Sequence, residues 1–588
     1  MTKKAEAWRT SEKEKEFIVT KSIKWLGFLV LLSLVLPLLL ACVAPATPSP
    51  VPTTAPTSAA ATSVPSTKAG VTPTPVPSTK PTTATPKYGG VLRVRADGDT
   101  LGWDPHTTKS WRDYLSCSFV YSKLVQWPMG PEYDASDFTP TPDLAESWDI
   151  PNDKTYIFHL RKGVKFQNRP PVNGRELVAE DVVYSIKRLM EAKPPRAYIV
   201  PMIDTVEAID KYTVKLTTKE PYAPLLVGLA DPSTGDIIAK EARRDYEDFM
   251  RAETAIGTGP FLLESHEKAV KSVFKKNSDY FKKGLPYVDE IRWLTIEDLS
   301  TALSALRART IDIGTVERPE LAAVKQSNPD MQFYEYLYGG GRLFVRTDKL
   351  PFNDERVRQA MSMALDRESW IKHLYMGRGE IQGPVVQTAL RQWALPIDQL
   401  GEAKKYFQYN PNESKKLLAD VGYPKGITTT LNFTPGYGVQ YVEWMELVKD
   451  MFSKVGIDVK IELKEYTAHM ATTYLGNYEG VGFTPSTVYS EVDRNLFSMH
   501  EPGSSSNQSH VDDPVLWEMV LKQRGAVDPT ARKKIVDEIQ RYSATKIYYL
   551  WVPANYLIAA FQPWVKNYRS SSGYERGRIF EMVWLDKS

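Results

Sequence analysis

The chain has 588 residues, of which 42% are hydrophobic and 25% charged, and its formal charge is +3 at neutral pH. Residues 1–24 hold seven basic and four acidic side chains, so the rest of the chain is close to neutral, which argues against nucleic acid as a partner. The length exceeds what one hydrophobic core supports, so we expect two or three domains.

The first 41 residues have the pattern of a secretory signal. Basic side chains between Lys3 and Lys24 precede an apolar run of 17 residues at 25–41, which ends in a small residue before Cys42. The cysteine at this place resembles the lipobox of bacterial lipoproteins, in which the thiol is acylated and the cysteine becomes the new N-terminus. We therefore expect residues 1–41 to be removed and Cys42 to be lipidated.

An uncleaved transmembrane anchor is the alternative for the same segment. Seventeen residues are near the lower limit for spanning a bilayer, and Pro37 interrupts the run. Either interpretation tethers the rest of the chain outside the cytoplasmic membrane. We expect an extracytoplasmic protein, anchored by lipid to the bacterial cell membrane.

Residues 42–87 are predicted to be a disordered tether rich in Pro, Thr and Ser. Eleven prolines, three lysines and no acidic or aromatic residue occur in residues 43–87. Such a composition buries too little apolar surface to offset the ordering entropy. The prolines favour an extended spacer that reaches on the order of 100 Å.

Strands and helices alternate in the remaining 500 or so residues. Period-two and period-3.6 patterns predict strands at 91–94 and 156–160, a hairpin at 205–216 and helices at 179–190, 354–365 and 413–421. This alternation favours α/β lobes with mainly parallel sheets.

Signatures of catalysis and of metal binding are absent from the sequence. No GxSxG elbow or phosphate loop occurs, and Val270 stands where a zincin helix starting at His266-Glu267 needs its second histidine. Cys117 remains without a partner once Cys42 is lipidated, and we expect a buried apolar residue rather than a reactive thiol. We expect no catalytic residue, metal or cofactor; an extracytoplasmic hydrolase with an unrecognised site is the alternative.

Several segments, in order along the chain, resemble family 5 solute-binding proteins, which serve dipeptide, oligopeptide and nickel ABC importers. The resemblance runs from about Tyr88 to near the C-terminus. The segments that carry it are Pro142-Asp143-Leu144-Ala145-Glu146-Ser147-Trp148, Ala179-Glu180-Asp181-Val182-Val183-Tyr184-Ser185-Ile186, Gly257-Thr258-Gly259-Pro260-Phe261, Ile311-Asp312-Ile313-Gly314 and Pro351-Phe352-Asn353-Asp354-Glu355-Arg356-Val357-Arg358.

The resemblance implies an α/β type 2 periplasmic-binding-protein fold, with two lobes, a hinge and an extra subdomain in lobe I. It implies a discontinuous domain I at 88–335 and 546–588, with the subdomain at about 119–255, and domain II at 336–545. Lobes joined by a hinge close over a ligand only if the ligand binds the closed form better than the open one.

Candidate ligand contacts follow from the same resemblance. Residues 102–105 match the family's Leu-Asp-Pro loop, whose following main chain often lines the cleft, and residues 477–483 match a stretch that ends in Gly-Trp. Trp103 and Trp111 both have core packing as their alternative. The candidates are Trp103, Lys109, Trp111, Phe483, Thr484 and Ser486.

Two departures from the family pattern bear on selectivity. Peptide binders have an Asp soon after the Gly-Trp, which holds the ligand's α-ammonium; here residues 484–487 contain no acid, and Glu491 and Asp493 are the next carboxylates. Arg346 stands where the family often has Asn. If Arg346 faces the cleft, it suits a carboxylate or phosphate; a surface arginine is the alternative.

The predicted function is that of a monomeric, membrane-tethered receptor which hands a peptide-like or other small-molecule solute to ABC permease subunits. Oligosaccharides are the second substrate class, followed by metal complexes and opine-like compounds. A sensor or adhesion role for the same fold is the alternative to transport.

Overall fold

The computed structural model describes residues 85–108, 110–192, 198–245, 251–438, 440–486, 489–569 and 576–587. The predicted signal, Cys42 and nearly all of the predicted tether lie outside these residues. Within the described part of the chain, no helix is both long and apolar enough to cross a membrane.

The strands are numbered in chain order through the described residues. They are β1 Val91–Ala96, β2 Ser122–Lys123, β3 Val125–Gln126, β4 Thr141–Pro142, β5 Ala145–Asn152, β6 Thr155–Leu160, β7 Ile203–Asp210, β8 Thr213–Thr218, β9 Asp236–Ile237, β10 Phe261–Glu267, β11 Lys271–Lys276, β12 Glu290–Thr295, β13 Ile313–Val316, β14 Gln332–Leu337, β15 Gly341–Val345, β16 Gly379–Glu380, β17 Ile427–Phe433, β18 Ile457–Leu463, β19 Val481–Pro485, β20 Tyr549–Val552, β21 Ala554–Phe561, β22 Val565–Lys566 and β23 Trp584–Leu585.

The α-helices pack against the sheets or against each other. They span Trp111–Cys117, Ala179–Ala192, Leu225–Ala230, Lys240–Asp245, Leu299–Arg307, Leu321–Ser327, Glu355–Ala364, Arg367–Leu374, Gln387–Leu390, Pro411–Asp420, Gln440–Ser453, Tyr466–Ala471, Val492–His500, Pro514–Gly525, Pro529–Lys546 and Arg576–Ile579.

Lobe I is built on a mixed sheet with the strand order β10-β11-β12-β1-β13-β21-β14, to which β16 adds by pairing with β21. Strand β1 lies in its middle because it alternates buried Leu92, Val94 and Ala96 with half-buried arginines. It runs parallel to both neighbours, with Val94 opposite Trp293 of β12 and Ile313 of β13. A separate antiparallel sheet, β5-β6-β8-β7, belongs to the same lobe and lies within the predicted subdomain.

Lobe II is built on a second mixed sheet with the order β18-β17-β19-β15-β20. Strand β17 is parallel to β18 and β19, whereas β15 is antiparallel to β19 and β20. Each lobe has its own core of buried apolar side chains, one drawn mainly from residues 92–293 and the C-terminal segment, the other from residues 343–552. Because each domain is built around its own hydrophobic core, these two cores define the two lobes.

The chain passes between the lobes at 338–340 and returns at Pro553. The first crossing contains two glycines that the geometry requires: Gly340 has a φ of +129°, and a Cβ on Gly339 would lie 1.8 Å from Oδ1 of Asn555. The Tyr338 amide donates to the Asn555 carbonyl with an N to O distance of 3.0 Å, which is typical of a β ladder. The return lies after the predicted boundary at 546, because β20 still pairs with β15 of lobe II.

The local predictions are confirmed and one global prediction is wrong. The helix predicted at 354–365 spans Glu355–Ala364, with Asp354 as its N-cap, and the hairpin predicted at 205–216 is β7 and β8. Cys117 is fully buried, as expected. The sheets are mixed rather than mainly parallel, because the chain inserts the late strand β21 antiparallel between β13 and β14.

Candidate ligand-binding site

A cavity of about 390 Å³ lies between the two lobes. Its volume is within the range of small-molecule sites. Most of its lining comes from lobe I and the first crossing, and lobe II contributes two side chains. The lining residues are Val94, Arg95, Asp97, Trp111, Leu115, Trp293, Ile313, Gly314, Thr315, Glu317, Tyr336, Tyr338, Leu557, Tyr568 and Phe580 from the first group, and Tyr437 and Gln440 from lobe II.

The carboxyl ends of β1 and β13 supply the polar part of the lobe I wall. These neighbouring parallel strands end at Ala96 and Val316, so Asp97 and Glu317 follow them at the same edge of the sheet. Ligands of open α/β sheets bind at such edges. Asp97 lies 3.7 Å from Arg112, and Nε of Arg95 donates to the Ile296 carbonyl at 2.8 Å.

Aromatic rings form the rest of the lobe I wall. Tyr336 and Tyr338 are two residues apart and lie on the same face of β14 and its extension, with their ring centroids 6.0 Å apart. The ring of Tyr568 stacks on that of Phe580 with a centroid distance of 5.9 Å. Trp111 begins the helix Trp111–Cys117. The preceding loop is fixed because the Tyr114 hydroxyl donates to the Thr108 carbonyl at 2.8 Å.

The lobe II wall is polar but uncharged. Tyr437 and Gln440 are the residues that lobe II contributes to the lining. Burial raises the pKa of the Tyr437 hydroxyl above its usual value, so the group is neutral at physiological pH. Its hydroxyl donates to Sδ of Met470 at 3.5 Å.

The structure brings some of the predicted contact residues to the cavity. Trp111 lines it, and Thr484 is near enough to the lining residue Tyr437 to affect the pKa of its hydroxyl. The Ser486 amide donates to the Gly340 carbonyl at 3.0 Å, beside the crossing, and the Ser486 hydroxyl has no hydrogen-bond partner among the described residues. Their roles in binding stay predictions.

Other predicted contact residues lie elsewhere. Trp103 is buried in the core of lobe I, edge-on to Phe274 at 6.0 Å, and Phe483 is buried in the core of lobe II, 5.6 Å from Tyr441. Neither residue lines the cavity, and a role of either in ligand binding stays a prediction. Lys109 lies outside the described residues.

Arg346 does not line the cavity. Its Nε donates to Asp348 at 2.7 Å, just beyond the end of β15 at Val345. The other end of β15, at Gly341, pairs with Pro485 near the crossing. Arg342, four residues before Arg346 and roughly 13 Å away along the strand, lies toward that end and donates to Gln508 at 2.9 Å.

The two carboxylates that follow the missing family acid are already paired. Glu491 forms an ion pair with Arg532, and Asp493 forms one with Arg524 at 3.0 Å. Both carboxylates are buried. Neither can take over the acid's contact with a ligand without breaking a buried ion pair, which is strongly destabilising.

The segment from Ser490 onward instead joins the two lobes at a second place. The Ser490 hydroxyl donates to Asp231 of lobe I at 2.8 Å, and this bond is buried. The Ala223 amide of lobe I donates to the Arg524 carbonyl at 3.0 Å. The Arg494 guanidinium lies 4.9 Å from the ring centroid of Tyr198. We call these contacts the interlobe latch.

Residues 139–523, more than half of the chain, match the model of bacterial extracellular solute-binding proteins, family 5 Middle. The chain belongs to this family. The family 5 protein is 26% identical over 532 residues to di/tripeptide-binding protein 2 of Pseudomonas aeruginosa, which covers 86% of this chain and 96% of the relative.

Solved structures agree with the assignment to family 5. The periplasmic binding protein DppA from Helicobacter pylori, in complex with the peptide STSA, has a TM-score of 0.69 and 26% identity, covering 85% of this chain and 99% of that one. AgaA from A. tumefaciens R10, in complex with agropinic acid, has a TM-score of 0.68 and 25% identity over 85% of this chain and 99% of that one. The family 5 protein therefore has the type 2 periplasmic-binding-protein fold with two lobes.

Most of the lining residues of the family 5 protein were missed by the sequence analysis. Asp97 and Glu317 carry one usable signal, since each directly follows a strand predicted or matched within the sheet. Tyr336, Tyr338 and Tyr437 carry none, because aromatic residues on strands and helices are more often core. Among the described residues, no group of three His, Cys, Asp or Glu side chains could hold a metal ion.

Proposed function

We propose that the chain is an extracytoplasmic receptor that binds a peptide-like solute between its lobes and delivers it to the permease of an ABC importer. The observation that carries this is the cavity, which is lined from both lobes and from the crossing between them. A ligand held there contacts both lobes only when they are closed, so its binding favours closure. The family membership and the peptide-binding relatives support the same conclusion.

The cavity has the composition of a binding site without a reaction centre. Its charged residues are Arg95, Asp97 and Glu317, and neither histidine, cysteine nor serine lines it. The serine–histidine and cysteine–histidine pairs that activate a nucleophile in many hydrolases are therefore not among its lining residues. We therefore propose that the protein binds its ligand without turning it over, as a monomer.

The ligand is best identified on protein purified from cells grown in peptide-rich medium. Native mass spectrometry is expected to reveal a bound peptide, which denaturation releases for sequencing. The variant Trp111→Ala, altered in the cavity wall, should lose the peptide. Recovery of an oligosaccharide or an opine-like compound instead would replace the substrate class, and loss of the peptide mass with the appearance of its fragments would indicate hydrolysis.

Closure can be tested through the interlobe latch. Adding the recovered peptide should lower the radius of gyration in small-angle X-ray scattering. Ser490→Ala removes the donor to Asp231, a hydrogen bond to a charged group worth about 1.5–3 kcal/mol, and should shift the population toward the open form. Ser498→Ala, on the adjoining helix and outside the latch, is the control. An unchanged radius with bound peptide would contradict the proposal.

We also propose that Cys42 carries the lipid anchor, with residues 42–87 as the spacer. The basic, apolar and small-residue pattern before Cys42 supports this. In cells, Cys42→Ser should abolish acylation and release the protein from the membrane fraction or leave it unprocessed. Intact-mass analysis of wild-type protein that finds an unmodified residue 42 would contradict lipidation without affecting the binding proposal.

A further inference from the structure

We propose that the lobe I wall of the cavity binds a cationic group of the ligand and that Glu317 is the carboxylate which pairs with it. The inference rests on the proposed function, since it concerns the same cavity. The candidate cations are a primary ammonium or a guanidinium, as carried by a peptide's N-terminus or by its lysine and arginine side chains.

Glu317 differs from the other charged residues of the lining in having no partner. Arg95 donates to the main-chain carbonyls of Ile296 and Glu297, and Asp97 faces Arg112 at 3.7 Å. The Glu317 side chain makes no hydrogen bond or ion pair with any residue that the structure describes. An unpaired carboxylate that lines a cavity between the two lobes is positioned to gain a charge-assisted hydrogen bond from a ligand.

The fold fixes the main chain at Glu317. Strand β13 ends at Val316, and the turn that follows is closed by the Glu320 amide, which donates to the Glu317 carbonyl at 3.0 Å. Glu317 therefore lies at the carboxyl end of a strand next to β1, in the middle of the lobe I sheet. Groups placed by rigid strands keep their geometry when the lobes move.

Among the described residues, lobe II contributes no carboxylate to the lining of this cavity. Its lining residues Tyr437 and Gln440 are uncharged, and residues 484–487 contain no acid. Glu491 and Asp493 are buried in ion pairs with arginines. If the ligand has a cation within the cavity, its partner must come from lobe I.

The aromatic rings around Glu317 favour the same charge. Trp111, Tyr336, Tyr338 and Tyr568 line the cavity with it. The faces of such rings attract ammonium and guanidinium groups, by up to about 2 kcal/mol when the cation is desolvated. They give no comparable attraction for a carboxylate or phosphate. With one positive and two negative side chains in the lining, the cavity as a whole favours a cation.

The test is a calorimetric titration with defined probes. The probes are trialanine, N-acetyl-trialanine and spermidine, and the variants are Glu317→Gln and, as a matched control in the same turn, Glu320→Gln. Both glutamates are exposed, but Glu320 does not line the cavity. We expect Glu317→Gln to weaken trialanine by about 10- to 100-fold and to leave N-acetyl-trialanine unchanged, while Glu320→Gln changes neither.

The probes separate failure of this inference from failure of the proposed function. Trialanine that binds wild type and Glu317→Gln equally well would overturn the inference and leave peptide binding in place. Equal losses for the free and acetylated peptides would also overturn it. If no peptide binds but spermidine binds and is weakened by Glu317→Gln, the cation site stands and the peptide proposal falls. If no cationic probe binds wild type at millimolar concentration, the cation site is overturned.

Discussion

The two lobes face the same cavity with different chemistry. Lobe I and the first crossing supply every charged side chain of the lining and all of its aromatic rings except Tyr437. Lobe II supplies an uncharged tyrosine and a glutamine, while its Glu491 and Asp493 are used in buried ion pairs and its Ser490 in the interlobe latch. The comparison indicates that lobe I selects the ligand and that lobe II covers it.

The largest expected difference between the lobes is their response to acid. Burial lowers the pKa of His469 and His500 in lobe II, and of His106 in lobe I, to about 4. Between pH 6.5 and 4 the unfolded chain binds more protons at these sites, so stability falls as the pH falls, by about 2 kcal/mol per histidine at pH 5. Burial raises the pKa of Asp113 and Asp236, both in lobe I, which gains stability on acidification and offsets His106.

We therefore expect lobe II to unfold first in acid. Hydrogen exchange followed by mass spectrometry at pH 7 and pH 5 should show protection lost over residues 343–552 before residues 91–295. His500→Gln should reduce the loss, because its side chain does not gain a charge on unfolding. Equal loss of protection in both lobes would contradict the comparison.

The next largest effect should come from the aromatic wall. Trp111→Ala removes a large ring from the lobe I lining and should weaken the recovered peptide by about 30- to 100-fold, as expected of a buried aromatic anchor. Tyr437→Ala, the matched change in lobe II, should weaken it by less than about fivefold. Isothermal titration calorimetry measures both, and a larger loss for Tyr437→Ala would reverse the roles of the two lobes.

A charge added to lobe II should sharpen the comparison further. Ser486 lies beside the crossing, with a hydroxyl that has no described partner. Ser486→Asp should strengthen the binding of trialanine by about tenfold relative to N-acetyl-trialanine, because it offers a second carboxylate to a free ammonium. The control is Ser486→Asn, because asparagine has the same shape as aspartate but no charge. If both variants act alike, charge on lobe II does not contribute.

The smallest effect is expected at Arg346. Its guanidinium is bound to Asp348 beyond the end of β15, and it does not line the cavity. Arg346→Ala should change the affinity for peptides with or without extra carboxylates by less than about twofold. A loss of tenfold or more, restricted to anionic ligands, would restore the role that the sequence suggested for this arginine.

The sequence predicts the local structure of this chain better than its long-range structure. The helix Glu355–Ala364 has an apolar face at helical spacing and an N-capping aspartate, both readable from ten neighbouring residues. The direction of β21 is not readable in this way. It depends on pairing with β13 and β14, which lie more than 200 residues earlier in the chain.

The predictions for the candidate site show the same difference between local and long-range structure. Trp111 was found through a motif that fixes its place relative to a known loop. Trp103 and Phe483 came from the same motifs, but whether a ring packs inside a lobe or faces the cleft is decided by neighbours distant in sequence, such as Phe274 and Tyr441. Glu317 was missed because its place in the cavity wall depends on the pairing of β13 with β1, which lies more than 200 residues earlier in the chain.

The position of β21 has a consequence for the folding of the protein during its synthesis. This strand, residues Ala554–Phe561, hydrogen-bonds β13 on one side and β14 on the other, so the lobe I sheet stays split until nearly the whole chain has been made. Contacts between segments so far apart form slowly. A growing chain therefore has no complete lobe I sheet to fold into until residues 554–561 have been made.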